Sequence, residues 1–407
     1  MMKQNRLFRD ISSVGKEAIM KQGSKFLTSR KALIACCFAL CCAVVLGLAG
    51  CGSSSSSSAA SSASASSASA SASASSSAAS DATVEFTDSL GRTVTIPANI
   101  ERVAVSGAIS QQVMFTFAPD LLVGLCDEMN DAEKTYVGEE YASLPVFGQI
   151  YGGKGDFNKE AVAAADPQLI IDIGEAKKGI EEELDALQES IGVPVVHIEA
   201  SLGTYGDAYR SLGQLLNRPD RAEEIAAYVD NAYASTMAVL DTIPAEERVH
   251  AAYLLGDAGL NAMAKGTFQA GVIDAVTDNV AVIEGAKGSG LGSETSFEQI
   301  ALWNPDLILF APESIYDTAA DDPSWQTIAA IESGNFYEVP AAPYNWISTP
   351  PSVNQIMGLQ WLSRLCYPDK FSDDIATVTK DYYKNVFGYE LSDDECNELI
   401  AKAVPKA

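Results

Sequence analysis

The sequence predicts an α/β protein with two doubly wound lobes that a long helical connector joins. Short apolar segments rich in β-branched residues alternate with helical segments, which is typical of buried parallel strands. These segments form two series, at residues 102–106, 122–125, 169–173 and 194–198 and at residues 251–255, 279–283, 307–310 and 336–339. Because a helical stretch separates the two series, we expect each series to form its own sheet.

The N-terminus has the pattern of a secretion signal. Residues 1–50 contain eight Lys or Arg and two acidic residues, and no charged residue occurs at positions 32–48. This apolar stretch has about the length of the hydrophobic region of a signal peptide. It closes with Leu-Ala-Gly-Cys at positions 48–51, which resembles the bacterial lipobox. That resemblance implies removal of residues 1–50 as a signal peptide and a lipid on Cys51 that anchors the protein without spanning the membrane.

An alternative is that the apolar stretch is an uncleaved transmembrane helix and that Cys51 has no role. In both cases the residues after position 53 are expected to function outside the cytoplasm. Residues 51–82 are rich in Ser and Ala, which predicts a flexible tether. The chain beyond residue 50 carries a net charge of −33. This charge disfavours binding to nucleic acid or anionic lipid, so the lipid anchor must supply the membrane contact.

The folded part begins with a predicted hairpin at residues 84–96. Further along, residues 205–216 have the pattern of an amphipathic helix. Pro219 suits the first turn of a second helix that extends to about residue 242, before Pro244 ends it. A helix of this length spans roughly 33 Å, about one domain diameter. We therefore predict a first lobe at residues 83–205, a helical connector at 206–244 and a second lobe at 245–407.

A repeat across the two lobes is the most specific internal pattern. In each lobe a polar turn, a short helix with an early Glu and an Asx-Pro turn precede a buried strand. Glu160 lies six residues before the Asp166-Pro167 step, and Glu298 lies six residues before Asn304-Pro305. We expect each Glu to lie in the first turn of its helix. The simplest role for such a residue is compensation of the helix dipole, worth a few tenths of a kcal/mol.

Four segments resemble a known family, namely TDSLGRTVTIP…IERVA, FNKEAVAAADPQLII, SFEQIALWNPDLILF and PYNWISTPPSVNQIMGLQWL. They are similar to the ABC-transporter substrate-binding lipoproteins of the ferric-siderophore, haem and vitamin B12 type. The resemblance covers about residues 83–390. It implies a class III solute-binding protein with two Rossmann-like lobes, one long bridging helix and the ligand in the cleft. In this family a Glu on each lobe docks onto Arg residues of the permease dimer, and the matching residues here are Glu160 and Glu298.

The ligand cleft is expected at the carboxyl ends of the strands, where the loops of the two lobes face each other. The candidate residues are Ser106, Gly107, Gln149, Tyr151, Lys154 and Glu175 in the first lobe and Asp257, Lys287, Tyr344 and Trp346 in the second. The resemblance places Trp346 where the B12-binding relative has a cleft aromatic, although a core Trp beside Pro343 and Pro350 is the alternative. The lysines could equally be solvated surface residues.

The stretch after Trp346 departs from the family pattern. Relatives often carry Arg there, whereas this chain reads Ile-Ser-Thr-Pro-Pro at positions 347–351. Without that cation a strongly anionic ligand loses its most effective bidentate donor, and a neutral or cationic ligand is favoured.

The sequence disfavours a metal site built from side chains and an enzyme. The chain has two histidines, His197 and His250, and both are expected to be structural. No GxSxG, HExxH or GxxxxGK[ST] motif occurs. Cys126, Cys366 and Cys396 are expected to be buried free thiols, with one disulfide between two of them as the alternative.

These observations predict an extracytoplasmic, lipid-anchored, monomeric solute-binding protein without a resident cofactor. It is expected to capture an iron chelate (siderophore or haem) or a corrinoid and to deliver this ligand to an ABC permease dimer. One alternative is a lipid-anchored binding or sensing protein that has no permease. Another is a molybdate-type oxyanion binder of the same fold.

Overall fold

A computed structural model describes residues 82–150 and 157–406. The predicted signal peptide, Cys51 and the tether lie outside the described residues, as do Tyr151 and Lys154. Within the two described ranges, no helix is long and apolar enough to cross a bilayer.

The strands are β1 (Thr83–Thr87), β2 (Thr93–Pro97), β3 (Val103–Val105), β4 (Leu169–Gly174), β5 (Val195–Glu199), β6 (His250–Leu255), β7 (Asn261–Ala262), β8 (Asp278–Asn279), β9 (Ser293–Glu294), β10 (Leu307–Phe310) and β11 (Phe336–Glu338). The α-helices are α1 (Ala108–Phe117), α2 (Asp131–Val137), α3 (Lys159–Ala165), α4 (Ile180–Ile191), α5 (Tyr205–Leu215), α6 (Pro219–Leu240), α7 (Gly271–Val276), α8 (Phe297–Trp303), α9 (Tyr316–Ala319), α10 (Ala329–Glu332), α11 (Asn354–Cys366), α12 (Ile375–Tyr382) and α13 (Asp393–Leu399). A π-helical turn, Tyr383–Phe387, follows α12.

The predicted N-terminal hairpin is confirmed, with β1 and β2 antiparallel. Asp88 stabilises its turn, because its Oδ1 accepts hydrogen bonds from the N–H groups of Leu90 and Arg92 at 3.0 Å. The other carboxylate oxygen of Asp88 accepts the N–H of His197 at 3.2 Å. The turn is thereby attached to β5 of the first lobe.

Each lobe contains a parallel sheet of the same strand arrangement. In the first lobe the order is β3-β4-β5, and in the second lobe β6, β10 and β11 follow in the same way. The second sheet extends further through β7 and β9, and β8 also pairs with β6. Val103 pairs with Leu169 in the first lobe, and Ala251 pairs with Leu307 in the second. The two predicted series of buried strands therefore form two separate sheets.

Two predicted strands are shorter than the sequence pattern indicates. Residues 122–125 form only isolated bridges, because Pro145 on the facing segment has no N–H with which to continue the ladder. The strand predicted at residues 279–283 ends after Asn279. The side-chain oxygen of Asn279 accepts the N–H of Ala281 at 3.0 Å, and this local bond replaces the strand pairing.

The predicted long helix is α6, which has 22 residues and begins with Pro219. It packs against α5 on the first-lobe side and against α11 on the second-lobe side. The helices α5 and α6 approach closely at Gly213, where a Cβ atom would lie 2.4 Å from the Cβ of Ala222. One continuous hydrophobic core extends from β3 through α5 and α6 to α11. The connector and both lobes share this core, so the core does not mark where one domain ends and the next begins. The predicted domain boundaries therefore stay a prediction.

Candidate ligand-binding cleft

A cleft of about 840 Å³ lies between the two lobes at the carboxyl ends of β3 and β4. Its volume is within the range of roughly 300–1,000 Å³ that is usual for small-molecule sites. The first lobe contributes the turn after β3, Gln149 and the end of β4. The second lobe contributes Phe268, Gln269, residues 288–291 and residues 349–351.

Asp172 forms the polar floor of the cleft on the first-lobe side. It lies in the middle of the apolar strand β4, and the residue is 3% exposed. Its Oδ1 accepts a hydrogen bond from the Ser106 hydroxyl, and its Oδ2 lies 2.7 Å from Nδ1 of His197. Sequence reasoning missed Asp172, although an acidic residue inside an apolar strand was an available signal, since such a group needs buried partners.

The N-terminus of α1 faces the same floor. Gly107 precedes α1 without a side-chain cap, and Ala108 and Ile109 line the cleft. The N–H of Ile150 donates to the carbonyl of Ser106 at 2.8 Å, which positions Gln149 beside Gly107. The cleft wall therefore combines the positive end of a helix dipole with the carboxylates of Asp172 and Glu175.

Asn345 organises the second-lobe wall. Its side-chain oxygen accepts the N–H groups of Ile347 and Ser348 at 2.9 Å, which turns the chain towards the cleft. Thr349 follows with φ 62°, a left-handed conformation that is rare for a β-branched residue. Such strain persists only where the surrounding structure imposes it, and it is concentrated at functional sites.

A smaller pocket of about 460 Å³ adjoins the cleft. Gln112 and Asn130 line it from the first lobe, and Asn261, Tyr344 and Asn345 line it from the second. Gly290, Leu291, Thr349 and Pro350 line both cavities. The two cavities are therefore neighbours along these four residues.

The structure brings most of the described candidate residues to these cavities. Ser106, Gly107, Gln149 and Glu175 line the cleft, and Tyr344 lines the smaller pocket. Asp257 and Lys287 are exposed neighbours of lining residues, and neither lines either cavity. A binding role for any of these residues stays a prediction.

Trp346 is a core residue, so its predicted place in the cleft is wrong. Its side chain is 1% exposed, and its ring lies edge-on to Trp361 with centroids 5.9 Å apart. The Trp346 carbonyl also packs directly on Gly358 of α11, where a Cβ atom would lie 2.0 Å from the carbonyl oxygen. The turn at Asn345 directs the indole inwards, where its large apolar surface is buried.

The repeated helices α3 and α8 present Glu160 and Glu298 to solvent. Their caps are equivalent, since Asn158 accepts the N–H of Ala161 at 2.9 Å and Ser296 accepts the N–H of Gln299 at 3.2 Å. Both helices end in a left-handed Asx residue before proline. The backbone N–H of Glu298 and the Ser296 hydroxyl lower the pKa of the Glu298 carboxyl. A docking role for the two carboxylates is not tested by these contacts.

The remaining candidate groups are arranged as follows. His197 is buried, whereas His250 is exposed and lies 3.5 Å from Asp306. In the part of the chain that the structure describes, no group of three His, Cys, Asp or Glu side chains is arranged to hold a metal ion. Cys126 and Cys396 are buried free thiols, as predicted, whereas Cys366 is a free thiol that is only partly buried.

The charged residues that line the two cavities in the described ranges are Asp172, Glu175, Lys177 and Glu313. No arginine is among these lining residues. The geometry is therefore that of a binding cleft with hydrogen-bonding walls and a modest excess of carboxylates.

Solved structures share this architecture. An ABC transporter solute-binding protein from Sulfurospirillum deleyianum is 25% identical at a TM-score of 0.72, over 78% of this chain and 99% of that chain. A periplasmic solute-binding protein from Veillonella parvula is 23% identical at a TM-score of 0.62, over 79% and 98%. The molybdate-binding MolA of Haemophilus influenzae is 20% identical at a TM-score of 0.59, over 76% and 99%. These likenesses confirm the predicted class III fold.

The sequence comparisons are consistent with the structural ones. No curated protein matches this sequence. The family model "Periplasmic binding protein" matches residues 122–343, which is more than half of the chain. The chain therefore belongs to the periplasmic binding protein family, whose members are extracytoplasmic ligand-binding partners of ABC permeases and not enzymes.

Proposed function

We propose that this protein captures a metal chelate, such as an iron siderophore or haem, or a corrinoid, in the cleft between its lobes. The cleft of about 840 Å³ carries this proposal, because its volume suits a ligand much larger than a bare ion. A chelated metal already has its ligands and needs only shape and a few polar contacts from the protein. The described side chains offer such contacts and no metal-ligating cluster.

The charges that line the cleft favour a neutral or cationic chelate. Asp172 and Glu175 contribute two carboxylates against one cation, Lys177, and no arginine is present among the described lining residues. A strongly anionic chelate would meet repulsion without the bidentate cation that compensates it.

An oxyanion is the second candidate, and the N-terminus of α1 is the observation that favours it. Gly107 and Ala108 line the cleft, and the first-turn N–H groups of a helix are suited to binding anions. The carboxylate of Asp172 beside this helix end disfavours an oxyanion and makes it the weaker candidate.

Ligand screening of the full chain tests the ligand class. We expect a neutral or cationic ferric hydroxamate, haem or cyanocobalamin to raise the melting temperature, because a ligand that binds only the folded state stabilises it. Ferric tris-catecholate, which is strongly anionic, and molybdate serve as comparison ligands. A response to molybdate alone, or no response to any chelate, would contradict the proposal.

We further propose that Glu160 and Glu298 orient the loaded protein on the permease. Both carboxylates are exposed on short, capped helices of equivalent geometry. Exposed charges on rigid elements contribute to orientation and association rate more than to affinity.

A double variant, Glu160→Gln with Glu298→Gln, tests this docking role. Uptake by cells is expected to fall strongly while ligand affinity stays unchanged, because neither side chain lines a cavity. The matched control is Glu181→Gln with Glu182→Gln, which removes two acidic residues from the first turn of α4. Unchanged uptake in the Glu160 and Glu298 variant would favour a sensing or storage protein without a permease.

The lipid anchor on Cys51 is also a proposal, and its support is the sequence at positions 48–51. Cys51→Ser is expected to release the protein from the membrane fraction while leaving ligand affinity unchanged. Retention of this variant in the membrane would favour the uncleaved transmembrane helix.

A further inference from the structure

Two consecutive glutamines on α1 differ in how their side chains are bonded. Gln111 and Gln112 are 4% and 3% exposed. Oε1 of Gln111 accepts the backbone N–H of Cys126 at 2.6 Å. Oε1 of Gln112 is buried and has no hydrogen-bond partner among the described residues. A buried acceptor without a donor destabilises the folded protein, so this arrangement needs a reason outside the packing of the fold.

Gln112 lines the smaller pocket, and so does a second group of the same kind. The Tyr344 hydroxyl lies near the Glu133 carboxyl and interacts with it electrostatically, but it makes no hydrogen bond of normal geometry in the described ranges. Gln112 belongs to the first lobe and Tyr344 to the second. The pocket therefore has, on each side of the lobe boundary, one buried polar group that makes no hydrogen bond of normal geometry in the described ranges.

The other amides of this pocket are already engaged. Asn345 accepts two backbone N–H groups, and its Nδ2 donates to the Tyr253 hydroxyl at 3.0 Å. Asn261 donates to the carbonyl of Leu291 at 2.9 Å. Among the described residues that line this pocket, Gln112 and Tyr344 are consequently the ones with a buried side-chain polar atom that has no hydrogen-bond partner.

We propose that the smaller pocket is a second ligand subsite that takes an uncharged group with N–H or O–H donors, such as an amide or hydroxyl arm. Oε1 of Gln112 accepts from this arm, and the Tyr344 hydroxyl bonds it from the opposite lobe. The inference rests on the proposed chelate binding and narrows its ligand class to chelates that carry such arms.

The lining residues that the two cavities share support one ligand that occupies both. Thr349 and Pro350 line both cavities on one side, and Gly290 and Leu291 line both on the other. A metal centre can lie in the larger cleft while an arm extends past Thr349 into the pocket. A site built to hydrogen-bond a polar group discriminates strongly against analogues that lack it, because its own polar groups then stay unpaired.

The test uses the full chain and two iron complexes with similar hydroxamate centres. Ferric desferrioxamine B carries secondary amides in its arms, whereas ferric tris(N-methylacetohydroxamate) has no N–H group. The wild type is expected to bind the amide-bearing complex more tightly, and Gln112→Met is expected to lose about tenfold in affinity for it, the size of one buried hydrogen bond. Binding of the complex without N–H groups should change little in this variant.

Gln111→Met is the matched control, since it alters the neighbouring amide that the protein itself uses. We expect this variant to melt at a lower temperature and to keep the wild-type preference between the two complexes. Gln112→Met should melt at or above the wild-type temperature without ligand, because it removes an unpaired acceptor.

Three results would overturn the subsite. They are an unchanged preference in Gln112→Met, a loss of preference in Gln111→Met equal to that in Gln112→Met, or a fall in melting temperature of Gln112→Met as large as that of Gln111→Met. If the wild type bound neither iron complex nor cyanocobalamin, the proposed ligand class would fail, and the subsite would fail with it.

Discussion

The two lobes have the same scaffold but differ at the buried ends of their central strands. In the first lobe the N–H of Gln168 donates to the carbonyl of Arg102, and in the second the N–H of Asp306 donates to the carbonyl of His250, both at 2.9 Å. The strand registers that follow are equivalent, so that Asp172 of β4 corresponds to Phe310 of β10. One lobe thus has a carboxylate where the other has an aromatic ring.

The difference shows how two lobes with the same scaffold contribute different groups to the candidate cleft. Asp172 contacts Ser106 and His197 beside the cleft. Phe310 instead packs edge-on against Trp325 and Phe336, with ring centroids 5.8 and 6.2 Å apart. The sheet of the first lobe supplies polar groups directly, whereas the second lobe supplies them from the loop that Asn345 organises.

The largest expected effect comes from placing an aspartate, as at position 172 of the first lobe, at the corresponding position 310 of the second lobe. Phe310→Asp should lower the free energy of unfolding by at least about 4 kcal/mol, because it removes a buried ring and leaves an unpaired carboxylate in an apolar core. Urea denaturation measures this change. Phe310→Leu is the control and should cost less than about 2 kcal/mol. A wild-type unfolding midpoint for Phe310→Asp would show that this position is not buried as described.

Asp172, the corresponding residue of the first lobe, should give the next largest effect when it is replaced. Asp172→Ala removes the partner of both Ser106 and His197, and we expect it to cost about 3 kcal/mol in the free energy of unfolding. Asp185→Ala, which breaks an exposed ion pair with Arg92, should cost less than about 1 kcal/mol in the same assay. Equal costs for the two variants would contradict a buried polar cluster in the first lobe.

The smallest expected effect concerns pH and compares one carboxyl from each lobe. Burial raises the pKa of Glu133 above its ordinary value of 4.5, whereas backbone and Ser296 hydrogen bonds lower the pKa of Glu298. Glu133 therefore contributes less to the free energy of unfolding as pH rises from 4.5 through the pKa that this carboxyl has in the folded protein. Glu298 stabilises the fold fully above pH 4.5, and its contribution disappears as pH falls through its folded pKa.

Melting curves of Glu133→Gln, Glu298→Gln and the wild type across pH 3–8 measure how the stability of each variant relative to the wild type changes with pH. The stability of Glu133→Gln relative to wild type should rise with pH above 4.5. The relative stability of Glu298→Gln should fall as pH rises towards 4.5. Slopes of the same sign for the two variants would contradict the environments assigned to these carboxyls.

The sequence predicted the architecture well, because that architecture depends on local signals. Pro219 at a helix start, the Asx-Pro steps after α3 and α8, and the apolar strand cores each act within a few residues. The repeat around Glu160 and Glu298 predicted two equivalent short helices, each with its Glu in the first turn and an Asx-Pro step at its end. Several first-lobe candidates and Tyr344 were placed at cavities for the same reason, since loops after parallel strands converge on one edge of the sheet.

The errors at the candidate site concern contacts between separate elements of the fold. The burial of Trp346 depends on Trp361 and on the close approach that Gly358 permits, and no local pattern shows which way an indole points. Gln112 was not singled out, because its neighbour Gln111 has the same chemistry and only the fold supplies Gln111 with a donor. Asp172 needed His197 from another strand to become a stable buried group.

Hydrogen–deuterium exchange of the full chain, with and without a bound chelate, tests the central claim that ligand bridges the two lobes. Addition of a saturating ferric hydroxamate should slow exchange at Gly107 to Ser110 in the first lobe and at residues 288–292 in the second, while α3 and α8 exchange as before. Protection confined to one lobe, or centred on the helices that carry Glu160 and Glu298, would contradict the account.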